Sequence, residues 1–337
     1  DYSDNPTAWD QKITSNLGAD FPYFASIGNH DDSSWTGTNG YQAKLQARLS
    51  RISGASCNGD LGVNSACSYQ GLFFILTGPG TMGSGHDAYI RNQLAQDNSV
   101  WRVCSWHKNQ REMQVGGKSS EVGWLPYEEC RLGGAIIATA HEHSYARTKT
   151  LSDIQTQTVD TSCPDSAGTP DVDVCVSKGA TFVFHSGLGG NSIRDQERCL
   201  PATYPYGCNG EWAKIYTSTQ GASHYGALFI TFYVDGNPNK ARGYFKNTNG
   251  QIIDSFEITT AGGGGTTTTT SSTTTTSHGT TTTITGGTTT TTTLPLPPFT
   301  ITGVTQIAKE IGTGTNTTQY DVCGTDLGTM FDWNGRV

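Results

Sequence analysis

Short apolar runs alternate with stretches of helical spacing along the first half of the chain. Runs typical of strands occupy residues 21–27, 72–77, 100–105 and 135–139, and helical spacing occupies residues 41–52, 87–96 and 121–132. Strands that alternate with helices favour a sheet that is at least partly parallel. The pattern therefore predicts an α/β domain whose strands are joined through helices.

Further along the chain, apolar runs follow each other with no helical stretch between them. They lie at residues 180–185, 227–234, 241–245 and 252–258. Runs of this kind are typical of antiparallel strands. We therefore expect the second half to be more antiparallel, within one domain that spans residues 1–260.

The composition changes sharply after residue 260. Residues 261–293 are nearly all Thr, Ser and Gly, and a Leu/Pro run continues to residue 298. Such a stretch cannot bury a core, so residues 261–298 are predicted to be a disordered linker, either O-glycosylated or unmodified. Residues 299–337 start a new β-rich pattern, and about 39 residues are too few for a stable unit without disulfides or a metal. We interpret them as the truncated start of a second domain.

Nine cysteines point to an oxidising compartment. Three pairs bracket short polar loops, and we predict local disulfides for Cys57/Cys67, Cys163/Cys175 and Cys199/Cys208. Cys104 and Cys130 are either a fourth pair or buried thiols, and Cys323 is left over. The cysteines predict an extracellular or cell-surface protein. We expect its signal peptide to lie outside this chain, and no apolar run reaches the length of a membrane span.

The chain has a formal net charge of −8 at pH 7. A protein that binds nucleic acid through phosphate contacts needs a basic face, so we expect no nucleic-acid partner. The charge does not argue against a small-molecule or surface phosphoester as substrate, because a metal ion dominates the field in its own site. The oligomeric state stays open.

Metal-binding side chains follow three of the predicted strands. Asn29 and His30 follow the run at 21–27, His107 follows the run at 100–105, and His141 and His143 follow the run at 135–139. Ligands in α/β sheets bind beyond the carboxyl ends of the strands. Imidazole nitrogens are frequent metal ligands. The pattern therefore predicts a metal site at this edge of the sheet.

Three motifs carry a resemblance to a known family. They are Gly28-Asn29-His30-Asp31, the single His107, and His141-Glu142-His143, in this order. Over residues 1–260 the sequence resembles the calcineurin-like metallophosphoesterases, including their purple acid phosphatase branch. The resemblance implies a β-sandwich of two mixed sheets flanked by helices in four layers, α/β/β/α. Separately, the segment from Gly324 to Trp333 resembles the start of a propeller-like domain of unknown function found in secreted proteins.

The resemblance also implies a role for each motif residue. Asn29, His107 and His141 would bind one metal ion, and His143 would bind a second. His30 would act on the leaving-group oxygen, and Asp31 would orient it by accepting a ring N–H. The cofactors would be two Fe, Mn or Zn ions, which clamp the phosphoryl oxygens and hold a bridging hydroxide.

The chain departs from the family pattern in two places. The glycine that precedes the first histidine of His-x-His is Ala140, which narrows the allowed backbone angles. The family's leading Asp-x-His and Gly-Asp motifs are missing, so we expect this stretch of chain to be inactive by itself. Tyr2 is either the tyrosine that ligates iron in purple acid phosphatases or an ordinary strand-end aromatic.

Together these features predict a secreted metal-dependent phosphoesterase that hydrolyses phosphomonoesters or phosphodiesters. Tyr145 and Arg147 follow His143 and could contact the substrate phosphate through a hydroxyl and a guanidinium group. The alternative is a catalytically inactive surface-binding or adhesion module that keeps the phosphoesterase fold. The Thr-rich linker and the second domain motivate this alternative.

Overall fold

The computed structural model describes residues 4–164 and 172–260, together with the backbone of residues 329–333. Its α-helices are α1 (Pro6–Leu17), α2 (Tyr41–Leu49), α3 (His86–Gln96) and α4 (Leu125–Leu132). Short 3-10 turns span Asp32–Ser34, Arg111–Met113, Ser218–Gln220 and Val234–Gly236. Helix α1 begins where the Asn5 side chain accepts the Ala8 N–H at 3.0 Å, with Pro6 in the first turn.

The larger of the two main sheets has eight strands in the order β1-β2-β3-β4-β5-β10-β6-β11. They are β1 (Ser56–Asp60), β2 (Asn64–Tyr69), β3 (Leu72–Thr77), β4 (Trp101–Ser105), β5 (Ile136–Thr139), β10 (Val183–Ser186), β6 (Tyr145–Thr148) and β11 (Trp212–Tyr216). Strands β3, β4, β5 and β10 run parallel to one another, and the flanking pairs are antiparallel. The carboxyl ends of the four parallel strands therefore lie at one edge of the sheet.

The smaller main sheet has five strands in the order β15-β12-β13-β14-β9. They are β15 (Thr329–Trp333), β12 (Gly226–Phe232), β13 (Lys240–Asn247), β14 (Ile252–Thr260) and β9 (Val174–Val176). The three central strands pair antiparallel, and both outer strands pair parallel to their neighbours. A two-stranded ribbon, β7 (Leu151–Asp153) with β8 (Thr158–Val159), stands apart.

The two main sheets pack face to face across a shared apolar core. Alternate residues of each strand point into this layer, as the period of a strand requires. Aromatic rings cross the gap: Trp101 lies 5.0 Å from Phe232, and Phe182 lies 5.9 Å from Phe256, between ring centroids. The chain is therefore an α/β protein with mixed sheets arranged as a sandwich.

Helices α3 and α4 cover the other face of the large sheet. Ile90 and Leu94 of α3 and Tyr127 and Cys130 of α4 are buried in a second core with the outward residues of the strands. The outer face of the small sheet is less buried than the helix-covered face of the large sheet: Phe229 and its stacking partner Tyr244 are half-exposed there. The fourth layer that the resemblance implies, helices over this face, is not seen among residues 4–164 and 172–260.

The predicted strand at residues 21–27 is wrong as a strand. The segment is extended, and Ile27 donates its N–H to the Gly62 carbonyl at 3.1 Å, but no ladder forms along it. Its side chains pack on the core instead: the Phe24 ring stacks on Phe74 with centroids 4.9 Å apart. The apolar run thus predicts correctly that the segment packs on the core. A strand also requires a neighbouring strand with which its backbone can form hydrogen bonds.

Four disulfides are present in the described residues. They join Cys57 to Cys67, Cys104 to Cys130, Cys163 to Cys175 and Cys199 to Cys208. The three predicted local pairs are confirmed, and the open question about Cys104 and Cys130 is answered by a bridge between β4 and α4. This density of disulfides fits an extracellular protein.

The predicted linker at 261–298 and most of the segment 299–337, including Cys323, lie outside the described residues, as does Tyr2. Within the described part of the chain, none of the helices combines the length and apolarity that crossing a membrane requires.

Candidate metal centre

Three of the predicted metal ligands meet beyond the carboxyl ends of β4 and β5. The Asn29 Oδ1 atom lies 2.6 Å from His107 Nε2, and His141 Nδ1 lies 2.9 Å from the same His107 nitrogen. The two imidazole rings meet edge to face, with centroids 4.7 Å apart. Strand order explains the meeting, because β4 and β5 are adjacent and parallel and end at the same edge.

The backbone holds the two histidine loops together. The Ala140 N–H donates to the His107 carbonyl at 3.0 Å, and the Asn109 side-chain amide donates to the Ala140 carbonyl. His141 has φ of 62°, in the left-handed region that non-glycine residues adopt rarely. The left-handed residue in this loop is therefore His141 itself and not Ala140, so an alanine is tolerated before it.

Little room exists for a side chain at position 28, just before Asn29. A Cβ at this position would lie 2.9 Å from the Asp31 Oδ2 atom and 3.4 Å from His107 Nδ1. The Gly28 N–H donates to the same Asp31 oxygen at 3.0 Å. Asp31 thus fixes the turn that presents Asn29, while the adjacent His30 side chain stands exposed. The orienting contact from Asp31 to the His30 ring stays a prediction.

His143, the predicted ligand of the second metal, lies in the loop between β5 and β6. Its Nδ1 atom lies 2.6 Å from the Ser192 hydroxyl oxygen, and its carbonyl accepts the Arg194 N–H at 3.0 Å. The loop that follows β10 therefore packs against this histidine. The assignment of His143 to a second metal stays a prediction.

Burial and neighbouring charges favour the neutral form of the three histidines of the centre. Burial lowers the pKa of His107 well below its usual value, and the charge of His141 lowers it further. Burial and the nearby Lys118 lower the pKa of His141 to about 4, and burial and Arg194 lower the pKa of His143 to about 4. A neutral imidazole offers the lone pair that a metal ion binds.

Tyr145 and Arg147 do not lie where substrate could reach them. Both side chains are fully buried between the sheets, on β6. The Tyr145 hydroxyl donates to Asp254 Oδ2 at 2.6 Å, and Arg147 donates to both Asp254 oxygens at 2.8 and 3.0 Å. The predicted contact of these two residues with a substrate phosphate is therefore wrong, because their polar atoms are occupied by a buried carboxylate in the core.

Sequence reasoning missed the loop after β4. Lys118 Nζ lies 3.0 Å from His141 Nε2, and Glu121 Oε2 lies 2.8 Å from the same nitrogen. Lys108 in turn pairs with Glu121 Oε1 at 3.0 Å. The loop has no apolar period, and its charged residues gave no signal of their own. Only the tertiary fold brings them onto the histidine.

Glu142, between His141 and His143, is fully buried. Burial raises the pKa of its carboxyl group. Within the described residues its oxygens have no hydrogen-bond partner, and its nearest cation is the Arg194 guanidinium, with Nη1 3.6 Å from Oε2. Gly116 makes room for it, since a Cβ there would lie 2.4 Å from the Glu142 carboxyl carbon.

Asn29, His107 and His141 fit the requirements of a divalent metal. They offer one carbonyl oxygen and two neutral imidazole nitrogens, a donor set typical of Zn, Mn or Fe. Ligand atoms around tetrahedral zinc lie roughly 3.4 Å apart, so the contacts of 2.6 and 2.9 Å would widen by roughly 0.5 to 0.8 Å to admit an ion. A separate grouping of Cys199, Cys208 and Glu211 also brings ligand atoms together. Its sulfurs form a disulfide and offer no thiolate.

A comparison with protein-family models gave no match to this chain, and a comparison with curated proteins likewise gave no match.

Proposed function

We propose that the protein is a secreted phosphoesterase of the calcineurin-like type that works with metal ions bound at this centre. The observation that carries the proposal is the convergence of three potential ligand atoms: Asn29 Oδ1 and His141 Nδ1 both lie within hydrogen-bond distance of His107 Nε2. Three potential ligand atoms from three separate loops meet there. A structural role alone gives no reason for this choice of atoms.

The electrostatics of the surrounding loops support an anionic substrate. Lys118 reaches His141 from the loop after β4, and the partly exposed Arg194 stands beside Glu142 on the loop after β10. The positive charges of both groups act on His141 and His143, as the lowered pKa values of the two histidines reflect. Lys118 and Arg194 are cations that could bind the oxygens of a phosphate group, although Glu121 and Glu142 lie beside them.

In this proposal Asn29, His107 and His141 hold one metal ion, and His143 helps to hold a second. Bound metal would supply Lewis-acid polarisation of a phosphoryl oxygen and a water activated for attack. Lys118 and Arg194 would bind the remaining phosphoryl oxygens. The exposed His30 would donate a proton to the departing alkoxide. The turn that holds His30 is closed by the hydrogen bond from the Gly28 N–H to Asp31.

Hydrolysis of p-nitrophenyl phosphate and of bis(p-nitrophenyl) phosphate by the natural protein tests the proposal. The assay is run with added Zn, Mn or Fe, on the wild type and on the His141→Ala and Asn29→Ala variants. The exposed helix residue Asn92 supplies the matched control, Asn92→Ala. We expect metal-dependent turnover that both site variants abolish and the control keeps. Equal turnover by His141→Ala would refute the proposal, and metal binding without any turnover would favour the binding module.

A further inference from the structure

The imidazole of His141 has different neighbours at its two nitrogens. Its Nδ1 atom faces the proposed metal position, 2.9 Å from His107 Nε2. Its Nε2 atom faces the loop after β4, where it meets Glu121 Oε2 at 2.8 Å and Lys118 Nζ at 3.0 Å. One ring nitrogen therefore lies against a carboxylate and an ammonium group at the same time.

Glu121 is anchored where it meets the ring. Its backbone N–H donates to the Asn109 carbonyl at 3.0 Å, and Asn109 also holds the Ala140 carbonyl next to His141. Its other carboxylate oxygen pairs with Lys108 at 3.0 Å, and about three-quarters of its side chain is shielded, with 24% exposed. Glu121 thus belongs to the same hydrogen-bonded unit as the two histidine loops.

Hydrogen-bond chemistry decides whether Glu121 or Lys118 is the better neighbour for His141 as a metal ligand. A neutral imidazole carries one N–H and one lone pair. If Nδ1 gives its lone pair to a metal ion, the proton lies on Nε2 and needs an acceptor. Glu121 accepts hydrogen bonds, whereas a lysine ammonium group has three donors and no acceptor. The carboxylate fits the metal-binding tautomer of His141, and Lys118 opposes it.

We propose that Glu121 is a positioning residue for the metal centre: it accepts the Nε2 proton of His141 and so turns the Nδ1 lone pair toward Asn29 and His107. The inference rests on the metal site of the proposed function. Carboxylates that orient a ligating histidine in this way typically contribute about 10- to 100-fold to metal affinity.

The test is the equilibrium dissociation constant for Zn²⁺, measured on the full chain by competition with a chromophoric chelator. The variants are Glu121→Ala, Glu121→Gln and Lys118→Met, with Glu129→Ala as control, because Glu129 is a surface carboxylate of α4 paired with Arg91. We expect Glu121→Ala to weaken binding by about 10- to 100-fold. Glu121→Gln keeps an acceptor oxygen and should recover most of that loss. Lys118→Met should bind at least as tightly as the wild type, and the control should match it.

The opposite signs expected for Glu121 and Lys118 separate positioning from general damage to the loop. Equal weakening by Lys118→Met and Glu121→Ala would overturn the inference, as would unchanged affinity in Glu121→Ala. A wild-type chain that binds no Zn²⁺ would overturn it together with the metal site. Weakened binding in Glu121→Ala, in a protein that hydrolyses no phosphoester, would uphold the inference and refute only the proposed activity.

Discussion

The buried pair of Arg147 and Asp254 offers a direct measure of what holds the two sheets together. Both side chains have no solvent exposure, and the guanidinium group donates to both carboxylate oxygens. Arg147 also donates to the Val172 carbonyl at 3.0 Å and lies 3.7 Å above the Phe256 ring. Burial alone would raise the pKa of Asp254, but the charge and hydrogen bonds of Arg147 lower it below its usual value.

Replacing Arg147 by Met keeps the apolar stem and removes the charge. Asp254 is then left buried with the Tyr145 hydroxyl as its remaining donor among these partners. Losing one partner of a buried ion pair costs about 3–5 kcal/mol of unfolding free energy. Replacing both partners, as in Arg147→Met with Asp254→Leu, leaves no uncompensated charge and should recover much of this loss. The recovery is incomplete, because the buried Tyr145 hydroxyl loses its acceptor at a cost of about 1–3 kcal/mol.

Urea denaturation followed by tryptophan fluorescence gives the unfolding free energies for the wild type, both single variants and the double variant. We expect Arg147→Met to lose about 3–5 kcal/mol and the double variant to lose clearly less. If Arg147→Met were as stable as the wild type and instead bound phosphate more weakly, the assignment of Arg147 to the core would be refuted. Additive losses in the double variant would contradict the buried pair.

Three further predictions follow from other parts of the molecule. Burial lowers the pKa of His185 to about 3, so the unfolded chain takes up a proton near pH 6.5 that the folded chain does not take up until about pH 3. As the pH is lowered through this range, the unfolding free energy should fall by about 5 kcal/mol more in the wild type than in His185→Gln, and parallel pH profiles would contradict this. In the proposed site Lys118 binds a phosphoryl oxygen, so Lys118→Met should raise KM for p-nitrophenyl phosphate by roughly tenfold with a smaller change in kcat, and an unchanged KM would refute that role. Replacing Cys104 and Cys130 together by Ala opens a bridge that spans 26 residues and should cost about 2–4 kcal/mol by urea denaturation, with the exposed pair Asn92→Ala and Gln96→Ala as control.

The sequence best predicts those elements in which the local pattern of apolar residues matches the burial that the tertiary structure imposes. The apolar run at 72–77 is buried on both faces and became β3 at the same bounds, and the helix expected at 87–96 is α3. The hairpin of β1 and β2 was missed, because Ser56–Asp60 is polar and mostly exposed, with no alternation to read. Its pairing instead brings Cys57 opposite Cys67, where a disulfide joins the strands.

The site was predictable in part for a similar reason. Asn29, His107 and His141 follow buried apolar runs, so the end of each run located its ligand. Lys118 and Glu121 lie in an irregular loop, and their approach to His141 depends on how that loop folds back over β5. Tyr145 and Arg147 follow His143 closely in sequence, but β6 carries both side chains into the core and away from the site. When a loop leads into a strand, alternate side chains of that strand point into the core.

Equilibrium Zn²⁺ binding to the full chain at neutral pH, with the wild type compared with His141→Ala, tests the central claim most directly. It asks whether Asn29, His107 and His141 bind a metal, without requiring turnover. We predict saturable binding by the wild type and an unchanged Asn92→Ala control, with affinity in His141→Ala weakened by more than the about 10- to 100-fold that a residue supporting a ligand contributes. Equal affinity of the wild type and His141→Ala, or no binding by either, would contradict the metal centre.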